Sequence, residues 1–461
     1  MNQLRLFKSV FGRVVGNANR VETTLPDDFD PAVYLKLHVD VRDAGVDPAQ
    51  HYREFGRAEN RPYQFPPFEY VGNKALDPAR RTALLVTHEC SLTGAPVLVF
   101  NMAEVLSRTM NVVVLSLGPG TLEDLFKELD IVFVSAHKAR ASIGHAEHVV
   151  GCIAREFSPT FAVVNSIESQ LVVEPLAQAG IPTVSLIHEF APCYTDPEAR
   201  FKTMMTVPDQ VVFSSDVTFR DAARFVTGFD AKKIHILPQG RSNVPGKRVK
   251  DDSAKQEQQR LRAIMRPDGE RARQYVVLGV GAVNYRKGID LFLQCAREIA
   301  TTVGEDKCRF VWIGQGYEPK KDAAYSVYLQ DQIIRAGLTS SVEIIGETTE
   351  LESAYELADL FLLSSRLDPL PNVAIDAMFF RKPLVCFDKT TGIVSFLDSI
   401  GLREACIAEY LDVGDLAGKA SRLLMSTELK TQVAQTLEAH VADHFNMERY
   451  VSQVAALVVP G

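Results

Sequence analysis

The chain has 461 residues, too many for one ordinary core, and its 46% apolar and 23% charged content is that of a globular protein with two or three domains. A formal net charge of −8 excludes a general nucleic-acid binder, which needs a basic surface to displace counterions. Seven cysteines, at 90, 152, 193, 295, 308, 386 and 406, contain no CxxC pair and are odd in number, which speaks against a disulfide framework or a zinc site and fits a reducing, cytoplasmic compartment.

In chain order, residues 1–20 come first. Leu4, Phe7, Val10, Phe11, Val14 and Val15 recur at helical spacing, with Arg5, Lys8 and Arg13 between them. The cations interrupt any signal-peptide core, and no apolar run in the chain reaches transmembrane length. The pattern suits a helix lying on an anionic membrane surface, here the inner face of the cytoplasmic membrane, or one docked on its own protein or a partner. Residues 28–68 carry Asp30-Pro31 and Asp47-Pro48, each an N-cap followed by a first-turn proline, and predict two or three short helices. Their pattern, Y-L-x-x-x-x-D-V-x-x-A-G-x-D-P-x-x-H-Y-x-x-x-G, resembles a small helical module found beside bacterial polysaccharide glycosyltransferases.

From about residue 80, continuous apolar strands alternate with helical stretches, as in a parallel sheet covered on both faces. Predicted strands are Thr82–Thr87, Val112–Leu117, Ile131–Val134, Phe161–Asn165, Thr183–Ile187 and Gln210–Phe213. A charged stretch at 246–274 breaks the alternation and reads as a linker. A second series follows: Tyr275–Gly279, Phe310–Ile313, Val342–Ile345, Leu360–Leu363 and Pro383–Phe387. The expected domains are a helical module over 1–70, a first Rossmann-like domain over 71–245, a second over 275–425, and terminal helices over 426–461 packing back toward the first. The fold class is α/β, with two doubly wound sheets facing a cleft.

Ligands in such sheets sit beyond the carboxyl ends of the strands, so motifs there carry the most weight. In HECSLTGAPVLVFNMAEVL (88–106), Gly94 and Ala95 form a flexible turn after the first strand; a plain βα turn reads the same way. In VSLIHEF (184–190), His188 follows a strand, as a ligand-facing or a structural histidine. In VVLGVGAVNYRKGIDLFLQCA (276–296), Gly281 allows close approach, and Arg286 and Lys287 offer charge to a phosphate, or merely cap a surface turn. In SSRLDPLPNVAIDAMFFRKPLVCF (364–387), Asp368 lies in a loop and Asp376 on the helix that follows. The amides of Leu370, Asn372 and Val373 at that helix start suit a diphosphate. The alternative is an ordinary strand–loop–helix with two solvated aspartates.

Together these segments resemble the retaining GT-B glycosyltransferases of family 4 (group 1). The stretch at 364–387 resembles their E-x7-E region, in a branch with a D-P-x-P loop. The resemblance implies that Asp368 bonds hydroxyls of a donor sugar, that Asp376 bonds the nucleotide ribose, and that His188 faces the donor sugar. Lys287 matches the lysine of their G-R-x-x-x-x-K-G segment, which neutralises a diphosphate. Thr93-Gly94-Ala95 matches their Gly-Gly-Ala loop. Weaker matches are ILPQG (236–240), FVWIGQG (310–316), AYELADLFLLSS (354–365) and DKTTGIVSF (388–396). Departures stand at Ala282 for arginine, Asp376 for glutamate and Ser395 for glutamate.

The expectation is a retaining glycosyltransferase that takes a nucleotide sugar and a glycan or lipid-linked acceptor, in bacterial cell-surface polysaccharide or lipopolysaccharide synthesis. No strand end carries the DxD-like carboxylate pair of a metal-held diphosphate, so no metal and no other cofactor is expected. Two other functions fit the pattern: a catalytically silent GT-B subunit serving a partner glycosyltransferase, and a GT-B-shaped sugar-nucleotide epimerase. The sequence leaves the sugar, base, acceptor and oligomeric state open.

Overall fold

The structure is a computed structural model that describes residues 24–71, 76–245, 252–268 and 274–459. The amphipathic stretch expected at 1–20 lies outside the described residues. Two compact units are present, one of residues up to Pro67 with Ser142–His145, the other of Phe68–Ala141 and Ala146 onward.

The first unit holds α1 (Pro31–Leu37), α2 (Val39–Asp43) and α3 (Pro48–His51). Asp30 Oδ1 accepts the Ala32 amide at 2.8 Å and Asp47 Oδ1 the Gln50 amide at 2.7 Å, the capping that each Asp-Pro pair predicts. Tyr34, Val41 and Tyr52 form the core, with Phe29 and Tyr63 packed against them. Burial pushes the Tyr34 phenol up to about 12, and the phenol bonds His51 Nδ1 at 3.0 Å.

The second unit contains two sheets. The first has eight strands: β1 (Glu69–Val71), β2 (Thr82–Thr87), β3 (Asn111–Ser116), β4 (Val132–Ser135), β5 (Phe161–Asn165), β6 (Thr183–Ile187), β7 (Gln210–Phe213) and β8 (Ile234–Ile236). Their order is β1-β4-β3-β2-β5-β6-β7-β8, parallel apart from β1. The second has six: β9 (Tyr275–Val280), β10 (Cys308–Ile313), β11 (Val342–Ile345), β12 (Leu360–Leu363), β13 (Leu384–Phe387) and β14 (Ile407–Ala408), ordered β11-β10-β9-β12-β13-β14 and all parallel. Both sheets are doubly wound, as the alternation of elements predicts.

Helices cover both faces, among them α4 (Gly94–Leu106), which follows β2. Leu84 and Val86 of β2 enter one core cluster, and Ala83 and Leu85 enter another on the opposite face. That two-sided burial explains why the strands read as unbroken apolar runs. Near the chain's end, α7 (Thr427–His444) contributes Val433, Leu437 and Val441 to the core of the second sheet. The next helix, α8 (Met447–Ala456), contributes Tyr450, Val451 and Val454 to the core of the first. The chain therefore crosses between the two sheets twice.

The strand orders position the site. In the first sheet the order reverses between β2 and β5, and in the second between β9 and β12. Each reversal opens a crevice at the carboxyl ends of the strands, where the flanking connections depart to opposite faces.

Candidate functional site

The crevices of the two sheets meet in one cavity of about 440 Å³. Gly94, Ala95, His188, Glu189, Phe190, Cys193, Tyr194, Ser214 and Gln239 line it from the first domain. Arg286, Lys287, Asp368, Pro369, Leu370, Pro371, Asn372 and Val373 line it from the second. Of the residues expected from the sequence to bind or act on the donor, Gly281 and Asp376 do not line it.

Two loops build the second-domain wall. After β9, Asn284 accepts the Lys287 amide on its side-chain oxygen at 3.0 Å and closes the turn Tyr285–Lys287. Gly288 follows at φ 69°, where an added Cβ would stand 2.1 Å from the Ser364 carbonyl oxygen. Only glycine lets this turn sit so close to the loop after β12. Gly281 presses on the stem of Lys287, whose Cδ would lie 3.2 Å from an added Cβ. Gly281 thus aligns a cation without facing the cavity.

The loop after β12 carries Asp368, which is 4% exposed. Its amide donates to the Thr390 carbonyl at 2.8 Å. Lys287 Nζ donates to Asp368 Oδ2 at 2.7 Å, Ser365 Oγ donates to the same oxygen at 3.1 Å, and Arg286 Nη1 lies 3.5 Å from Oδ1. A buried carboxylate so surrounded is compensated by two cations and a hydroxyl. The helix α6 (Asn372–Phe379) starts beside it, with Pro371 in the capping position and no side chain on its first amides. Those amides and the positive end of the helix dipole face the cavity with Lys287 and Arg286.

The opposite wall carries no lysine or arginine. His188 Nε2 and Asn165 Oδ1 are 2.8 Å apart, while Asn165 Nδ2 donates to the Ala95 carbonyl at 3.0 Å. Asn165 therefore presents an acceptor to His188, which places the imidazole proton on Nε2 and leaves Nδ1 as a lone-pair acceptor. Nδ1 has no partner among the described residues. Burial pulls the His188 pKa down to about 4, so the ring is neutral at physiological pH. The Glu189 carboxyl is pushed up by burial against bonds from the Ser166 hydroxyl and the His188 and Ile167 amides. It braces this corner.

Asp376 lies one helical turn beyond Asn372, on a neighbouring cavity of about 460 Å³ shared with Arg241, Glu350, Leu351 and Tyr355. Arg241 Nε donates to Asp376 Oδ1 at 2.7 Å, and the guanidinium lies 4.6 Å from the Phe379 ring centre. Gln239 Nε2 likewise reaches Asn372 Oδ1 at 2.7 Å. The segment after β8 thus grips α6 across the cleft. Among the described residues, no group of three or more His, Cys, Asp or Glu side chains is arranged to hold a metal ion.

Motif reading did not single out Asn165, Tyr194 or Ser214, and it quoted Gln239 only as part of ILPQG, without a role. Tyr194, Ser214 and Gln239 line the cavity, whereas Asn165 stands behind His188 as its hydrogen-bond partner, and a polar residue ending the apolar run Phe161–Asn165 at a switch point was a signal for it.

Residues 274–426 match the family described as Glycosyl transferases group 1. Among curated proteins, the chain is 24% identical to the amylovoran biosynthesis glycosyltransferase AmsD of Erwinia amylovora, over 36% of this chain and 44% of that protein. It is 23% identical to the lipopolysaccharide core biosynthesis mannosyltransferase LpsB of Rhizobium meliloti, over 37% and 51%. The chain thus spans about half the length of the curated relatives it matches. Among solved structures, Anabaena HepE in complex with UDP-glucose superposes with a TM-score of 0.63 at 15% identity, covering 81% of this chain and 98% of that one. The chain therefore has the two-domain GT-B fold, and its second domain matches the glycosyl transferases group 1.

Proposed function

We propose that this chain is a retaining, metal-independent glycosyltransferase. It moves a sugar from a nucleotide-sugar donor to a glycan or lipid-linked acceptor in bacterial cell-surface polysaccharide or lipopolysaccharide synthesis. The observation that carries this reading is the convergence of Lys287, Arg286, the first amides of α6 and Asp368 on one wall of a cavity, with a neutral His188 on the other.

Glycosyl transfer requires stabilisation of a departing nucleoside diphosphate as its negative charge grows. Lys287, Arg286 and the α6 amides supply fixed positive charge for it. Arg286 takes the place of the arginine that Ala282 lacks. Asp368 accepts hydrogen bonds from donor-sugar hydroxyls, and His188 Nδ1 accepts one from a hydroxyl on the other side. Departure of the diphosphate leaves an oxocarbenium-like sugar, which the acceptor hydroxyl attacks from the leaving-group face. The acceptor proton passes to the departing diphosphate oxygen, so no enzymic base is needed, and the anomeric configuration is kept. HepE, the fold neighbour, was solved with UDP-glucose, which supports a nucleotide-sugar donor. AmsD and LpsB, by the processes they are named for, support the polysaccharide or lipopolysaccharide setting.

A panel of UDP-, GDP- and TDP-sugars, scored by protection against thermal unfolding and then by transfer or donor hydrolysis, tests the reading. One donor should raise the midpoint in proportion to the logarithm of its concentration and be turned over. Protection without any turnover would favour a catalytically silent subunit, and release of an epimerised nucleotide sugar would favour an epimerase.

A further inference from the structure

The geometry points to Arg366 as a positioning residue that locks the two donor-side loops together and so sets the Lys287–Asp368 pair. Arg366 stands two residues before Asp368, and Tyr285 stands two before Lys287. Arg366 joins these positions. Its amide donates to the Arg286 carbonyl at 2.9 Å, and its Nη1 donates to the Tyr285 carbonyl at 2.9 Å. Its guanidinium stacks on the Tyr285 ring, 3.8 Å from the centre. The same guanidinium makes a bidentate pair with Asp290, at 2.8 Å to each carboxylate oxygen.

Asp290 is fixed in turn. It opens the first turn of α5 (Ile289–Val303), and its Oδ1 accepts the Tyr325 hydroxyl at 2.7 Å. Burial pushes the Asp290 carboxyl up, but the bonds from Arg366 and Tyr325 outweigh that and hold it below the usual range. One planar group therefore ties the turn Tyr285–Lys287, the loop after β12 and the start of α5. The other ties between the loops are Arg286 Nη1 to the Leu367 carbonyl at 2.8 Å, the Leu367 amide to the Arg286 carbonyl at 3.5 Å, Ser364 Oγ to the Lys287 carbonyl at 3.5 Å, Arg286 Nη1 to Asp368 Oδ1 at 3.5 Å, and the Lys287–Asp368 pair itself. When a donor diphosphate draws Lys287 away from Asp368, the clamp is what keeps both side chains in place. A lysine at 366 keeps the charge, but neither forks onto a carboxylate nor stacks flat on a ring.

This inference rests on the donor-site reading above, so its test separates the two. Turnover of the donor that the sugar-nucleotide panel selects is measured for the full-length chain and for Arg366→Lys, Lys287→Ala and the double variant. Arg366→Lys should lower kcat by up to about 100-fold, the scale of a misplaced reacting group, with KM for the acceptor unchanged. In the Lys287→Ala background Arg366→Lys should slow turnover by a clearly smaller factor than in the native chain, because part of its effect acts through that lysine. Multiplying effects, or an Arg366→Lys kcat within about twofold of native, would overturn the positioning role. Native turnover in Lys287→Ala would overturn the donor-site reading and the clamp with it. Should Arg366→Lys fail to fold, Asp290→Asn carries the same cycle against Lys287→Ala, with the same two outcomes deciding.

Discussion

Lys287 and Asp368 face each other at 2.7 Å, and the electrostatic work of the cleft is divided between them. Removing the lysine leaves Asp368 with Arg286 at 3.5 Å as its remaining cation and takes one charge from the leaving diphosphate. Lys287→Ala should raise the barrier by roughly 2–4 kcal/mol, the scale of one lost oxyanion donor, and Lys287→Arg by less. Steady-state kinetics check this, and a change below about threefold would make the lysine a turn residue only. Asp368→Ala should abolish transfer while the circular dichroism stays native; near-normal turnover in a folded variant would place the donor elsewhere. With charge supplied by side chains and helix amides, turnover should survive EDTA, and loss on chelation restored by magnesium or manganese would overturn the mechanism. His188 gives a pH signature. Its folded pKa lies near 4, below the ordinary value, so both folded and unfolded chains hold it neutral above pH 6.5. As pH falls from 6.5 to 4, the unfolded chain takes up a proton that the folded chain refuses, and stability drops. Burial of His88 and His444 acts in the same direction, so the comparison must be differential: His188→Gln should show a shallower fall in thermal midpoint over that window than native. Parallel curves would show that the ring is not held neutral by its surroundings. These residues were legible in sequence because each is a charged or polar type in the connection that follows an apolar strand. Asn165, which fixes the His188 tautomer, was not singled out, since its role depends on the neighbouring strand and on the turn at Ala95.

At the scale of the element, α6 does two things. Its first turn faces the cavity, and its second carries Asp376 into an ion pair with Arg241. The resemblance to retaining GT-B enzymes implies a ribose contact at Asp376, yet in this structure its carboxylate is already held by an arginine from the other domain. On that reading a nucleotide ribose would compete with Arg241 for Asp376. Arg241→Ala should lower the thermal midpoint of the free protein while strengthening nucleoside diphosphate binding by a few-fold, within the roughly 1 kcal/mol that a partly exposed pair contributes. Asp376→Ala should weaken nucleotide binding. Calorimetry with the diphosphate selected by the panel checks both, and weaker binding in Arg241→Ala would mean that the guanidinium contacts the nucleotide itself. The elements were legible unevenly. Thr82–Thr87, Phe161–Asn165, Thr183–Ile187 and Leu360–Leu363 are strands with the bounds read from sequence, because a parallel strand buried on both faces is a continuous apolar run. Strands β1, β8 and β14 were not foreseen. With two or three residues each, at or near sheet edges, they are too short to show any period.

For the whole molecule, the order of motifs along the chain was enough to anticipate two sheets facing a cleft, because ligand residues cluster at strand ends whatever the side-chain detail. What sequence order did not convey is how the domains grip each other, since Gln239–Asn372 and Arg241–Asp376 join positions more than a hundred residues apart. Where the proposed transfer takes place is a question for the first twenty residues. No helix among the described residues is long and apolar enough to cross a membrane. If the acceptor is lipid-linked, a peripheral contact would place enzyme and substrate on one surface. Leu4, Phe7, Phe11 and Val14 recur at helical spacing beside Arg5, Lys8 and Arg13, a pattern that predicts shallow insertion among anionic headgroups. Each cation near such a surface adds about 1 kcal/mol, so three give weak attachment that salt reverses. Full-length protein should therefore co-sediment with anionic vesicles at low salt and be released at high salt, whereas a chain beginning at Thr23 should stay in the supernatant throughout. Neutral vesicles should capture little of either. Equal behaviour of the two chains would end the membrane proposal and make residues 1–20 a packing element for this protein or a partner.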